Sequence, residues 1–221
     1  MTETLAQPVE EEEPGLELIK NRIPRILESL PLSREPSKPT QEEAEQALRQ
    51  MLREKGIYPV HLGARLSDFF NPPEKPPVFI CGPAGTGKTH LAVAYFVREI
   101  QTWGGNSRIF IRSVDLFNKL RDSFRSSSGT PATEIIGNYS RYRLLIVDDL
   151  GTERDTPLVQ EALYSIIDYR AGHRLPTIIT SNFTLDRVGG HYGDFGERLA
   201  SRISGMGEGL TLDGKDRRWQ K

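Results

Sequence analysis

A glycine-rich stretch that ends in a lysine and a threonine is the strongest chemical signal in the sequence. Residues 82–89 have the sequence GPAGTGKT, which matches the phosphate-loop pattern G-x-x-x-x-G-K-S/T. Glycines there let backbone N–H groups face phosphate oxygens, and the lysine adds a compact positive charge. The motif predicts a site for ATP and Mg²⁺; an incidental glycine-rich turn is the alternative. The residues expected to contact the nucleotide are Gly82, Pro83, Ala84, Gly85, Thr86, Gly87, Lys88, Thr89 and His90.

Two carboxylates follow a second apolar stretch. Asp148 and Asp149 come directly after residues 144–147, which are all apolar. Ligands of open parallel sheets bind at the carboxyl ends of the strands. We therefore expect Asp148 to hold Mg²⁺ together with the Thr89 hydroxyl, and Asp149 to polarise the attacking water. Helix capping is the alternative role for such a pair.

Polar residues in two later segments extend the candidate site. Asn182 follows another apolar stretch and is predicted to bond the γ-phosphate or the attacking water, with Ser181 as second choice. A polar turn is the alternative. Arg198 and Arg202 are four residues apart and share one face of a predicted helix. An arginine from a neighbouring subunit can stabilise a transferring phosphoryl group; the alternative is a solvated face compensated by Glu197.

Short apolar strands alternate with amphipathic helices from residue 77 onwards. Strands that are apolar throughout are typical of a parallel sheet with helices on both faces. The pattern predicts an α/β fold of three layers, α/β/α, with a mostly parallel sheet. The predicted strands are 78–81, 108–112, 144–147, 177–180 and, at an edge, 209–212, and the predicted helices are 88–101, 114–124, 157–170 and 195–203.

The first 40 residues differ from the rest. An acidic run at 10–13 and several prolines predict a flexible extension, in which the apolar residues within 16–30 form either a partner-binding helix or part of a flexible tail. Residues 41–76 are predicted to be a helix, capped by Thr40, and a linker, and 77–221 the ATPase core.

Composition excludes several classes of protein. The 221 residues carry a net charge of -1, so any nucleic-acid site must be a local patch. A single cysteine, Cys81, cannot form a disulfide framework or a cysteine-rich zinc site and is expected to be buried. No secretion signal is visible, and no stretch approaches the ~20 apolar residues of a membrane helix. A cytoplasmic protein without membrane contact is the simplest expectation.

Four segments in this order carry a family resemblance: GPAGTGKTH, LLIVDDLGTE, TIITSN and GERLASRI. With KGIYPVHLGARLSDFF before them and LTLDGKDRR after them, they resemble the AAA+ ATPases of the bacterial helicase-loader group, the DnaC/DnaI type. The resemblance covers roughly residues 56–218. Transposition helper ATPases of the IstB type are similar too, but they typically show a DELGY-like segment where this chain has DDLGTE. That difference favours a loader.

The resemblance implies a P-loop NTPase with an AAA+ core and no α-helical lid, which binds ATP and Mg²⁺. It implies that Asn182 senses the γ-phosphate and that Arg202, or else Arg198, is an arginine finger. A finger requires a site shared between subunits, so an ATP-dependent homo-oligomer is expected. Many AAA+ proteins have glutamate where this chain has Asp149, whose shorter side chain predicts slow, switch-like hydrolysis.

The implied function is to assemble on single-stranded DNA and deliver a replicative DNA helicase. A transposition helper acting on duplex DNA is the alternative. A small-molecule kinase is a third possibility, but a kinase usually needs a closing lid, and no segment of the sequence predicts one. Residues 1–40 are the candidate helicase-binding segment and 66–70 the candidate adenine-reading linker. The candidate DNA-contacting residues are Phe117, Lys119, Arg121, Phe124 and Arg125, which combine basic and aromatic side chains. The alternative for the two phenylalanines is a place in the core.

Overall fold

The computed structural model describes residues 40–125, 129–152, 156–214 and 216. Contacts divide the chain into two units, residues 1–44 and 45–221. Of the predicted extension at 1–40, residues 1–39 lie outside the described residues. At the end of the first unit, the Glu43 N–H donates to Thr40 Oγ1 at 3.2 Å, and the Thr40 N–H donates to the Glu43 carboxylate at 2.7 Å. This reciprocal capping box starts the first helix at the predicted residue.

The described strands form one parallel sheet in the order β2-β3-β4-β1-β5. The predicted parallel sheet is therefore confirmed, and so is the edge position of the last strand. β3 continues through the two aspartates, further than predicted, because backbone pairing with β4 resumes after an irregularity between Val147 and Leu150. The strands are β1 (Phe79–Cys81), β2 (Arg108–Arg112), β3 (Leu144–Leu150), β4 (Thr177–Ser181) and β5 (Gly209–Thr211).

Helices connect these strands. Two of them, α4 and α6, were not predicted, because both are short and contain glycine, which lowers helix propensity. Buried residues such as Ile135 and Val188 anchor them to the core instead. The α-helices are α1 (Gln41–Glu54), α2 (Lys88–Trp103), α3 (Ser113–Arg125), α4 (Ala132–Arg141), α5 (Pro157–Gly172), α6 (Leu185–His191) and α7 (Gly193–Met206), and the 3₁₀ turns are Pro59–His61 and Leu66–Asp68.

The sheet separates two apolar cores. Successive side chains of a strand point to opposite faces of the sheet. On one face, residues such as Ile80 and Ile146 pack with α2 and the end of α1. Their neighbours, such as Phe79 and Val147, pack with helices α3 to α7 on the opposite face. This arrangement confirms the predicted three-layer α/β/α architecture. Cys81 is buried in the second core, as expected.

A buried arginine joins α4, α5 and the entry to β4. Arg170 is fully buried, and burial lowers its pKa to about 10, so it is still charged at neutral pH. Three of its acceptors are carbonyls at the end of α4, where the helix dipole favours a positive charge. The acceptors of its guanidinium are the carbonyls of Tyr139, Ser140, Tyr142 and Pro176 and the hydroxyl of Thr177.

The edge strand β2 is partly blocked by a lysine. The Arg143 N–H bonds the carbonyl of Ser107, so the carbonyl of Arg108, the next residue, points to the opposite, open side. Lys55 Nζ donates to this Arg108 carbonyl at 2.8 Å. An amine from the end of α1 thus occupies a backbone position at which another strand would pair.

Candidate nucleotide-binding site

The phosphate loop joins β1 to α2 at the carboxyl edge of the sheet. Gly85 and Gly87 have φ of 79° and 99°, a left-handed conformation that glycine adopts without strain. Left-handed residues in such a turn direct backbone N–H groups into an anion-binding nest, at the amino end of α2. Lys88 is largely buried, and its Nζ donates to the carbonyls of Gly82 and Pro83, both at 2.8 Å. The loop therefore has the backbone geometry and the cation that a triphosphate requires.

Asp148 links the phosphate loop to strand β4. Its Oδ1 accepts hydrogen bonds from the Thr89 hydroxyl at 2.9 Å and from the Thr180 hydroxyl at 2.7 Å. Burial raises the pKa of Asp148, while the two hydroxyl donors act in the opposite direction. The predicted metal ligands Thr89 and Asp148 are thus in direct contact. A hydroxyl and one carboxylate suit Mg²⁺, which usually keeps several waters and takes few protein ligands.

The backbone of Asp149 is held in an uncommon conformation. Its φ is 59°, which costs a non-glycine residue about 1–2 kcal/mol. The Asp149 N–H donates to Thr180 Oγ1 at 2.8 Å, and the Asp149 carbonyl accepts from Ser113 Oγ at 2.8 Å and from Thr152 Oγ1 at 3.0 Å. Asn182 Nδ2 donates to the Asp149 carboxylate at 2.9 Å. These bonds fix where the carboxylate points, which is how functional sites retain strained residues.

Three residues of this network, Thr180, Ser113 and Thr152, were absent from the sequence-based prediction. Thr180 holds both aspartates through one hydroxyl, and its place two residues before Asn182 at a polar strand end was an available signal. The sequence around Ser113 gives no such signal, because Ser113 and Asp149 are far apart in the chain and come into contact only in the folded protein. Ser181, the second choice for phosphate contact, is fully buried and donates to the Leu150 carbonyl at 2.6 Å. Its hydroxyl is therefore hydrogen-bonded within the sheet, between β4 and β3.

His90 connects the loop to the preceding linker. Its Nε2 lies 2.8 Å from Asp68 Oδ2, and its ring contacts the rings of His61 and Phe69. Burial, and to a smaller extent the neighbouring His90, lowers the pKa of His61. The linker at 66–70 thus lies beside the first turn of α2. This position next to the loop is compatible with its predicted contact to the adenine.

The two candidate arginines lie on α7. α7 ends shortly before β5 begins, so Arg202 is near the amino edge of the parallel sheet, whereas the loop is at the carboxyl edge. Arg198 and Arg202 are both exposed, and Arg202 Nε pairs with Asp168 at 2.6 Å. The hydrogen bond that Arg202 donates to the Tyr164 hydroxyl oxygen, followed by the charge of Asp168, raises the pKa of Arg202.

The candidate DNA-contacting residues on α3 divide into core and surface. Phe117 is fully buried and contacts the Tyr192 ring, so it belongs to the core. Phe124 is 41% exposed. Lys119 Nζ lies 3.2 Å from the Tyr139 hydroxyl and borders a cavity of about 460 Å³. A second cavity, of about 430 Å³, also borders Lys119 on α3.

Comparison with known proteins identifies the family. The family model described as IstB-like ATP binding protein matches residues 66–206, which is most of the chain. The chain belongs to the IstB-like ATP-binding proteins. The family is an ATP-binding one, in agreement with the phosphate loop, and the predicted resemblance is confirmed.

Curated relatives of this IstB-like protein include a helicase loader and an insertion-sequence protein. The replicative helicase loader DnaC of Escherichia coli strain K12 is 28% identical over 107 residues, which is 48% of this chain and 42% of DnaC. The Insertion sequence IS232 putative ATP-binding protein of Bacillus thuringiensis subsp. berliner is 30% identical over 105 residues, or 48% of this chain and 40% of that protein. The chain therefore spans less than half the length of these relatives.

Solved structures confirm the P-loop NTPase fold of this IstB-like protein. The DnaI crystal structure superposes with a TM-score of 0.59 at 21% identity, over 71% of this chain and 95% of DnaI. The DnaC helicase loader gives 0.53 at 26% identity, over 80% and 93%. AMPPCP-bound DnaA from Aquifex aeolicus gives 0.53 at 22% identity, over 64% and 41%. Within the described residues, no helix is long and apolar enough to span a membrane.

Proposed function

We propose that this protein is an ATP-driven loader that assembles on single-stranded DNA and delivers a replicative DNA helicase. The observation that carries the proposal is the network in which Thr180 joins Asp148 and Asp149 beside the phosphate loop. Such a network suits a nucleotide-sensing site. The DnaC relatives, which are named as replicative helicase loaders, support the biological role.

ATP and Mg²⁺ are the proposed ligands of the loop. Lys88 would bind the terminal phosphates, and the backbone N–H groups of the loop would surround them. Thr89 and Asp148 would hold Mg²⁺, which supplies neutralisation of phosphate charge. The 2.9 Å contact between these two side chains supports that assignment.

We propose that hydrolysis is slow because of how Asp149 is held. We propose that its carboxylate orients the attacking water and that Asn182 senses the γ-phosphate. The Asn182 amide already engages one carboxylate oxygen of Asp149, which leaves less acceptor capacity for a water. An aspartate also reaches less far than a glutamate. Both features favour a switch that stays in its ATP state for long periods.

Arg202, with Arg198 as second choice, is the proposed arginine finger of an ATP-dependent homo-oligomer. An exposed arginine at the amino edge of one sheet can act only on a site of another subunit. Its ion pair with Asp168 would have to open for this purpose. Because both partners are about half exposed, that pair is weak and easily exchanged.

The surface around α3 is the proposed contact for single-stranded DNA. Lys119, Arg121 and Arg125 can neutralise phosphates, and the exposed Phe124 can stack on a base. Residues 1–40 are the proposed helicase-binding segment, so their deletion should abolish helicase binding and spare ATP binding.

A transposition helper that acts on duplex DNA is the second candidate, favoured by the IS232 relative. Strand preference separates the two functions. Labelled single strands and duplexes of one sequence, titrated with ATP at several salt concentrations, should show tighter binding of the single strand and a clear salt dependence. Tighter duplex binding would favour the transposition role instead.

Lys88→Ala tests the nucleotide site itself. Removing the loop cation should abolish tight ATP binding, measured by titration calorimetry, while Lys75→Ala, outside the loop, should bind normally. Co-purification with the replicative helicase of the same organism should then require ATP and fail with Lys88→Ala. Unchanged ATP affinity in this variant would remove the basis of the proposal.

A further inference from the structure

The residues after β5 run along the phosphate loop. The Leu212 N–H donates to the Cys81 carbonyl at 2.7 Å, directly before the loop begins. A Cβ on Gly82 would meet the Leu212 carbonyl oxygen at 2.1 Å. The first loop glycine is therefore in close contact with the C-terminal segment, defined here as residues 212–214 and Asp216.

The carboxylate of Asp216 lies against the middle of the same loop. A Cβ on Gly85 would meet Asp216 Cγ and Oδ1 at 2.1 Å and Oδ2 at 2.6 Å. The carboxylate thus occupies the space in which a side chain at Gly85 would stand. Asp213 of the same segment is exposed, whereas Asp216 is partly buried. All three of the atoms nearest to that Cβ belong to Asp216.

This position places a negative charge where phosphates are expected to bind. The loop turn around Gly85 is left-handed, and such turns attract anions through their N–H groups. A nucleotide bound there would bring its phosphates within a few ångströms of the carboxylate. Two like charges about 4 Å apart in water repel by an amount that corresponds to roughly fivefold in affinity.

We propose that Asp216 competes with the nucleotide phosphates for the loop, so that nucleotide binding displaces the C-terminal segment. The inference rests on the proposed nucleotide site. It adds a regulatory consequence, because the position of the C-terminal segment then reports whether the loop is filled. It also gives Gly82 and Gly85 a second role, since any side chain there would collide with this segment.

Asp216→Asn tests the competition, because the amide keeps the shape and removes the charge. The full chain is titrated with Mg-ADP and with an ATP analogue at low and high salt, beside Asp213→Asn as control. Asp216→Asn should lower Kd at least about fivefold at low salt and less at high salt. The control should match wild type. An unchanged or higher Kd for Asp216→Asn would overturn the proposal.

Displacement has its own measurement. Trp219 lies three residues after Asp216, and Trp103 is the other tryptophan. In a Trp103→Phe background, nucleotide should change the emission of Trp219 and its quenching by acrylamide, and Lys88→Ala should remove the response. Tight nucleotide binding with no change at Trp219 would refute displacement. If wild type and Asp216→Asn both fail to bind nucleotide, the nucleotide site itself is wrong and this inference falls with it.

Discussion

Thr180→Val is the substitution that tests the site network most directly. Thr180 is almost fully buried, and valine has nearly its shape, so packing should change little. The hydroxyl, however, donates to Asp148 at 2.7 Å and accepts from the Asp149 N–H at 2.8 Å. Valine removes both bonds and leaves a buried carboxylate and a buried N–H without this partner.

The magnitude follows from the two bonds. A hydrogen bond to a charged group contributes about 1.5–3 kcal/mol, and an orphaned buried donor costs about 1–3 kcal/mol. We therefore expect Thr180→Val to lower the free energy of unfolding by roughly 3–5 kcal/mol. For a chain of this size that corresponds to a fall in Tm of about 8–15 °C.

Urea unfolding followed by circular dichroism measures this loss. Thr211→Val is the matched control, because Thr211 is an exposed strand residue, and it should change stability by less than about 0.5 kcal/mol. ATP hydrolysis by Thr180→Val should fall about tenfold or more, because both aspartates lose their alignment. A stability loss below about 1 kcal/mol would mean that Thr180 does not hold the pair, and the reasoning would be wrong.

Three further predictions concern the framework around the site. Arg170→Met should destabilise the protein by about 3–5 kcal/mol in urea, because five acceptors lose their donor, whereas the exposed Arg141→Met should change stability by less than about 0.5 kcal/mol. The pKa of His61 is lowered in the folded state. As the pH falls, the His61 imidazole is therefore protonated in the unfolded chain at a higher pH than in the folded protein. Stability should therefore fall as the pH drops below about 6.5, and His61→Gln should flatten that dependence in urea midpoints taken at several pH values. Gly82→Ala should cost about 2–3 kcal/mol, since the new Cβ collides with a backbone carbonyl, and Gly63→Ala, where no atom lies within 4 Å, is the control for thermal unfolding.

Local spacing accounts for what was predictable. The phosphate loop, the apolar strands and the acidic strand end are each contiguous in the chain, so their residue types could be recognised without a fold. Asp148 and Thr89 were paired in advance only because the parallel-sheet pattern places strand ends at one edge. The same pattern predicted the three layers and the edge position of β5.

Long-range contacts account for what was not predictable. α4 and α6 have weak intrinsic propensity, and packing stabilises them, including the bonds from Arg170 to the end of α4. A helical pattern around Arg170 gives no sign that this arginine is buried, because most of its acceptors come from other segments. Ser113 meets Asp149 across 36 positions of the chain. Such partners become visible only once the sheet has been assembled.

The lysine on the open side of β2 has a consequence for how copies of the protein meet. An unprotected edge strand can recruit the edge of another molecule and start uncontrolled aggregation. Lys55 would have to give up its bond to the Arg108 carbonyl and bury its charge before β2 could pair in this way. Growth of fibrils through this strand is thereby disfavoured.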